Sequence, residues 1–313
     1  MANVAIIGSG FIGRAWSITF ARAGHAVTLW DEDRSAPAKA LDFIAAAMPD
    51  LAANDLIGGA APDALMRRFR VEENLASALG DADHVQENTP ERLDVKKAVF
   101  KELDRHAPAN AVIASSSSSI LPSRFTEQLP GRHRCLVIHP INPPYLVPAA
   151  EVVPAPWTSQ ETVDKASAFL IAAGQAPIVM NRELDGFIMN RMQGALLDEA
   201  FRLVADGYAT VDDIDIGIRE GLALRWSFMG PFETIDLNAP GGVRDYVERY
   251  HGIYKAMHAQ HRTDWTGPVL DEIERTRRAK LPAERLGERQ MWRDRRLMAL
   301  AAHKRRAGDD IGK

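Results

Sequence analysis

Val4-Ala5-Ile6-Ile7-Gly8-Ser9-Gly10-Phe11-Ile12-Gly13 decides the fold of this chain. Four apolar residues run directly into G-x-G-x-x-G, and a helical stretch from Ala15 to Ala23 follows. Strand, glycine turn and helix in that order are the context in which the motif signals a dinucleotide site. Gly8 permits the tight turn, Gly10 lets a pyrophosphate approach the backbone, and Gly13 lets helix and strand pack closely. Phe11 and Ile12 then head a helix whose free N–H groups and dipole favour an anion. Asp31 follows the next apolar run, Ala26–Trp30, eighteen residues after Gly13. A carboxylate there accepts bonds from ribose hydroxyls and repels the 2′-phosphate of NADP. Glu32 and Asp33 add to that repulsion, and Arg34 opposes it. The cofactor expected is NAD.

Outward from this unit, short β-rich runs alternate with helical stretches. The runs are Val4–Ile7, Ala26–Trp30, His84–Gln86, Ala111–Ala114, Cys135–Ile138, Glu151–Val153 and Ile178–Met180. They lack strict polar alternation, as strands do when helices cover both faces of a sheet. Beyond Asp185 the strand signal fades, and Leu196, Ala200, Leu203 and Val204 recur at helical spacing. The pattern predicts an α/β fold, with an N-terminal Rossmann-type doubly wound sheet followed by an all-α C-terminal domain. The expected boundaries are 1–183 for NAD binding and 184–313 for substrate and dimer contacts.

The bulk numbers allow two domains of ordinary size with a sizeable core. The chain has 313 residues, 46% of them hydrophobic, and a formal net charge of −4. That balance gives no footing for nucleic acid. No apolar run reaches the roughly 18 residues of a membrane span. The start carries no export pattern, and the single cysteine, Cys135, suits a reducing compartment, so a cytoplasmic setting is expected.

Further segments carry a resemblance. They are Val-Gln-Glu-Asn-Thr-Pro-Glu (85–91), Ser115–Ser119 with Leu121-Pro122-Ser123, and His139-Pro140-Ile141-Asn142-Pro143-Pro144-Tyr145. Asp185-Gly186-Phe187-Ile188-Met189-Asn190-Arg191, Gly230-Pro231-Phe232-Glu233 and Gln290-Met291-Trp292-Arg293-Asp294 continue the series. Over residues 3 to 306 the chain resembles the 3-hydroxyacyl-CoA dehydrogenase superfamily, and within it the λ-crystallin (L-gulonate 3-dehydrogenase) branch.

Alcohol oxidation by NAD needs a hydride acceptor and a proton acceptor that titrates near the working pH, which favours histidine. His139 closes a strand at the end that faces the ligand crevice in such sheets. The resemblance makes His139 the general base and Glu151, twelve residues on, its partner. A carboxylate in an apolar strand is costly to bury unpaired. The resemblance also implies that Ser118 positions the substrate oxygen, with a one-residue slip within the serine run left open. Asn142 and Asn190 are orienting groups on the same reading, or else turn and cap residues. Glu91 and Lys96 match positions that contact the nicotinamide ribose in relatives, or they form a solvated helix pair.

Substrate choice is expected to turn on Arg225. Acyl-CoA relatives usually carry Gly-Tyr-Pro-Met before Gly-Pro-Phe-Glu, whereas this chain has Leu224-Arg225-Trp226-Ser227-Phe228-Met229. A guanidinium grips a free carboxylate with two parallel bonds. The function expected is NAD-dependent oxidation of the 3-hydroxyl of a small free hydroxy acid, L-gulonate first. The alternatives are a 3-hydroxyacyl-CoA dehydrogenase, a carnitine 3-dehydrogenase with a cage from Trp226, Phe228 and Tyr145, and a non-catalytic NAD-binding or structural protein. No metal is expected, although His251, His258 and His261 share a helix face. The basic tail from Arg289 to Arg306 reads as a charged helix face. Trp265 and Trp292 need cover, for which a homodimer is the commonest solution.

Overall fold

A computed structural model describes residues 1–257 and 266–312. His258, His261 and Trp265 lie outside the described residues. The strands are β1 (Asn3–Ile7), β2 (Ala26–Trp30), β3 (Phe69–Val71), β4 (His84–Glu87), β5 (Val112–Ser115), β6 (Cys135–Pro140), β7 (Ala149–Pro154) and β8 (Ala176–Val179). Helices α1 (Phe11–Arg22), α2 (Ala36–Ala53), α3 (Pro62–Met66), α4 (Leu75–Leu79), α5 (Leu93–His106), α6 (Ser123–Thr126) and α7 (Gln160–Ala172) alternate with them. The sheet order is β3-β2-β1-β4-β5-β6-β7-β8. Every neighbouring pair is parallel except β6 and β7.

Burial explains why the strands read as continuous apolar runs. Val4 and Ile6 face one core with Trp16, Ile18 and Phe20 of α1, Ile44 of α2 and Leu170 of α7. Ala5 and Ile7 face the other, with Leu79 of α4, Phe100 and Leu103 of α5 and Phe125 of α6. The same split recurs in β6, where Leu136 and Ile138 join the first core and Cys135 and Val137 the second. A strand covered on both faces has no polar side to show.

Seven of the eight strands were legible as apolar runs. β3 was not, because it is a three-residue edge strand with Arg70 at its centre. Arg70 donates to Thr28 Oγ1 (2.6 Å) and pairs with Asp81 (2.8 Å), contacts that a periodicity scan does not register.

The chain divides into two compact units, residues 1–188 with 292–313, and residues 189–291. The second holds α8 (Met189–Ala205), α9 (Val211–Ile216), a π-helical turn (Gly217–Leu222), α10 (Ala223–Trp226), α11 (Pro231–Leu237), α12 (Gly242–Ala256) and α13 (Pro268–Lys280). The last helix, α14 (Leu286–Ile311), begins there and ends in the first unit. The expected second domain ran to residue 313, so the tail from 292 is a correction. Its cause is apolar. Met298 and Ala302 are buried, and Met298 belongs to the core of α1 and α2. Arg295 and Arg305 pair with Asp50 and Asp55 around that contact (2.8 Å each).

In the first core, His84 opens β4 fully buried and stacks on Phe169 of α7, with ring centroids 4.4 Å apart. Burial pushes its pKa down to about 4. A hydrogen bond to Gln86 opposes that shift, and His25 adds to it. In an unfolded chain the same imidazole titrates near about 6.5. Between those values only the unfolded chain binds the proton, so the stability is present above pH 6.5 and is lost as pH falls towards 4. At pH 5 the loss from this one group is about 2 kcal/mol. The unfolding free energies of the parent and His84→Phe, measured in urea at pH 7 and pH 5, should therefore converge by about that amount on acidification. A difference that does not change with pH would contradict the buried neutral imidazole.

Candidate active site

The glycine turn is built by close contact. Gly8 has φ +92°, and a Cβ on it would lie 2.9 Å from the Asn88 carbonyl group. A Cβ on Gly13 would lie 1.9 Å from the carbonyl oxygen of Gly8, so nothing larger than hydrogen fits between helix and turn. A Cβ on Gly10 would meet no chain atom within 4 Å. Gly10 is also the N-cap of α1 and gives no side-chain cap, which leaves the N–H groups of Phe11 and Ile12 to an anion. Asp31 accepts the N–H of Ser9 (2.6 Å) and that of Asp33 (3.0 Å), tying the end of β2 to the turn. Arg34 donates to the carbonyl of Glu73, away from Asp31. Turn, helix terminus and acid fit the pyrophosphate and ribose of NAD.

At the ends of β4 and β5 lies a second cluster. Lys96 and Glu87 are both almost fully buried and paired at 2.9 Å through both carboxylate oxygens. Glu87 also accepts from Ser115 Oγ (2.6 Å) and from the N–H of Thr89 (2.5 Å). Lys96 adds the carbonyl of Thr89 (3.1 Å). Burying two charges costs several kcal/mol each unless every lone pair and proton is met, as it is here.

Glu91 organises the serine run. Its Oε1 accepts the N–H groups of Ser118 (3.0 Å), Ser119 (2.9 Å) and Ile120 (3.2 Å) and the hydroxyl of Ser117 (2.6 Å). Its Oε2 lies 4.0 Å from Lys96 Nζ. Burial raises the Glu91 pKa, but the Ser117 hydroxyl, the loop N–H groups and Lys96 outweigh it and hold the carboxyl below its usual range. Glu91 and Lys96 are thus near neighbours without a direct hydrogen bond, and Lys96 is not solvated. The serines are not equivalent. Ser115 serves Glu87, while Ser116 accepts from Trp16 (3.0 Å) and Gln86 (2.8 Å) and donates to Asn88 (2.7 Å). Ser117 is buried, whereas Ser118 is exposed on the loop.

His139 and Glu151 meet across the one antiparallel pair. In the register of β6 and β7 they are direct partners. Opposed residues send their side chains to the same face, within reach of each other. The result is a 2.6 Å bond from His139 Nδ1 to Glu151 Oε2. The imidazole is buried and the carboxylate wholly so. The other oxygen, Oε1, accepts the N–H of Ile188 (2.7 Å). Asn142 is exposed on the loop that follows β6.

Asn190 and Arg225 belong to the second unit. Asn190 is the second residue of α8. Arg225 lines a cleft of about 520 Å³ with Gly217, Gly221, Leu222, Leu224 and Phe228. Its Nε is buried and has no hydrogen-bond partner. The π-turn beside it is a rare backbone form, frequent at functional sites.

Among the described residues, no group of three His, Cys, Asp or Glu side chains is placed to hold a metal. Among them, too, no helix is long and apolar enough to cross a membrane. Sequence reasoning missed Glu87, Ser116 and the N–H of Ile188. The first two are ordinary polar residues in a buried strand and a serine run, and the third is a backbone group with no residue signature.

Comparison with known proteins follows the same lines. The family model for the 3-hydroxyacyl-CoA dehydrogenase NAD binding domain matches residues 3–184, and that for the C-terminal domain matches residues 186–276. Lambda-crystallin of Oryctolagus cuniculus is 37% identical over 308 residues, 97% of this chain and 96% of the relative. L-carnitine dehydrogenase of Streptomyces griseus is 42% identical over 249 residues, 79% of this chain and 73% of the relative. Among solved structures, 5-formyl-3-hydroxy-2-methylpyridine 4-carboxylic acid 5-dehydrogenase, an NAD+-dependent dismutase, superposes with a TM-score of 0.81 at 25% identity. That match covers 97% of this chain and 98% of the other. With a glycine turn shaped for a dinucleotide and both family domains matched in order, the chain belongs to the 3-hydroxyacyl-CoA dehydrogenase family and is an NAD-dependent oxidoreductase.

Proposed function

We propose that this enzyme oxidises the 3-hydroxyl of a small free hydroxy acid, with L-gulonate as the first candidate and His139 as the general base. The observation that carries the reading is the buried 2.6 Å bond between His139 Nδ1 and Glu151. With Nδ1 held by a carboxylate, proton exchange falls to Nε2. Glu151 fixes the tautomer and favours the imidazolium that forms when the base takes the hydroxyl proton. Bound NAD+ supplies the hydride acceptor. Ser118 positions the substrate oxygen on this reading, and Asn142 and Asn190 are orienting groups near the substrate and the nicotinamide. Glu91 serves the ribose side, with Lys96 buried behind it on Glu87 and Thr89, while Gly8, Gly10, Gly13 and Asp31 serve the pyrophosphate and adenosine.

A free acid is favoured over an acyl-CoA by Arg225. Arg225 lines a cleft, where its guanidinium can offer paired donors to a substrate carboxylate, and a thioester carries no such charge. Carnitine is also a free carboxylic acid, and the likeness to L-carnitine dehydrogenase keeps it in the panel. L-gulonate rests on the Pro143-Pro144-Tyr145 loop, which looks more like that of the λ-crystallin branch than that of carnitine dehydrogenase. Its 3-keto product would be a β-keto acid, prone to lose CO2.

A homodimer is part of the same reading. The second unit buries few of its own apolar residues and leaves Tyr208, Phe228, Phe232, Val247, Ile253 and Met257 exposed. Exposed apolar surface on that scale marks an interaction face, and a two-fold dimer covers it most simply. A cytoplasmic setting is supported by the single, buried cysteine.

NADH formation with L-gulonate, 3-hydroxybutyrate, L-carnitine and 3-hydroxybutyryl-CoA, assayed side by side, should favour a free acid. His139→Gln should lower kcat by on the order of 10²- to 10⁴-fold while still binding NADH. Unchanged turnover would overturn the base assignment. Arg225→Met should raise KM for the preferred free acid by on the order of tenfold or more, with little effect on KM for NAD+. An unaltered KM, or acyl-CoA as the best substrate of the parent enzyme, would overturn the carboxylate clamp.

A further inference from the structure

We infer that Phe187 is a positioning residue for the acid–base pair, acting through a strained backbone turn. The inference rests on the reading of His139 as the base. Among the described residues, only Asp55 and Phe187 have positive φ without being glycine. Aspartate visits that region readily, whereas a bulky residue at positive φ is an outlier. Phe187 has φ +49°, directly after Gly186 at φ +75°.

The turn has one visible product. Phe187 donates its N–H to the Leu184 carbonyl (2.9 Å), and the next N–H, that of Ile188, is delivered to Glu151 Oε1 (2.7 Å). Glu151 therefore has one oxygen on His139 Nδ1 and the other on a backbone donor. A carboxylate gripped at one oxygen alone can rotate about its terminal bond; gripped at both, it presents Oε2 to the imidazole in a fixed direction. The Phe187 ring is fully buried, with its centroid 5.6 Å from that of His139, and it belongs to the second core. Burying such a ring is favourable enough to offset the cost of a left-handed backbone. The ring anchors the turn, and the turn aims the N–H. Strain held this way beside reacting groups is a recurrent feature of active sites.

Two substitutions separate this role from simple packing. Phe187→Val and Phe187→Gly both delete the ring. Valine leaves the smaller cavity but resists positive φ, while glycine leaves the larger cavity and accepts positive φ freely. If the turn positions Glu151, kcat for NADH formation should rank Gly above Val, by on the order of 10- to 100-fold, with KM for NAD+ the same in both. If Phe187 only fills space, the order reverses. NADH titration and near-ultraviolet circular dichroism confirm that each variant is folded and loaded. Turnover of Phe187→Val equal to or above that of Phe187→Gly would overturn the inference. Failure of the base assignment is distinguishable, because it appears as an active His139→Gln enzyme, whatever the order of the Phe187 variants.

Discussion

One cross-strand contact organises the site. β6 and β7 are the only antiparallel neighbours in an otherwise parallel sheet, and their register sets His139 directly opposite Glu151. A parallel connection would have needed a crossover of a dozen or more residues. The antiparallel turn lets a loop of eight residues bring a base and its carboxylate together at the ligand end of the sheet. Slipping the pair by one residue would send one side chain to the opposite face. The apolar residues on either side, Ile138, Val152 and Val153, are all buried and hold that register.

Around the pair, the chain meets each buried charge with dedicated partners. Glu151 receives His139 and the Ile188 N–H, Glu87 receives Lys96, Ser115 and Thr89, and Glu91 receives the serine loop. Fully satisfied networks in a low dielectric are rigid, and half-satisfied ones are costly. The three carboxylates therefore fix the loops that follow β4, β5 and β8.

Much of this was written plainly in the sequence. The glycine turn, Asp31 and the apolar strand runs are local signals, each decided within about ten residues, and the doubly wound sheet follows from their order. The His139–Glu151 pairing was legible through the family resemblance, and a carboxylate in an apolar strand demands some such partner. The three-residue strand β3 was hidden, since its stability comes from neighbours rather than from its own pattern. The tail helix was also hidden. Its basic face is obvious, but nothing local says that Met298 reaches the core of α1 and α2. Nor do five serines in a row announce which hydroxyl is structural. That distinction depends on Glu87, Gln86 and Asn88 from another strand. Long-range partners and backbone donors leave no residue-type signature, which is why the support of the site was less visible than the site.

The tautomer of His139 is the most direct test of this arrangement. Imidazole ¹⁵N spectra of the NADH-loaded enzyme, assigned against His139→Gln, should place the neutral-form proton on Nδ1, with its resonance far downfield and lost in Glu151→Gln. A proton resting on Nε2, unaffected by the loss of the Glu151 carboxylate, would contradict the pairing from which the chemistry is derived.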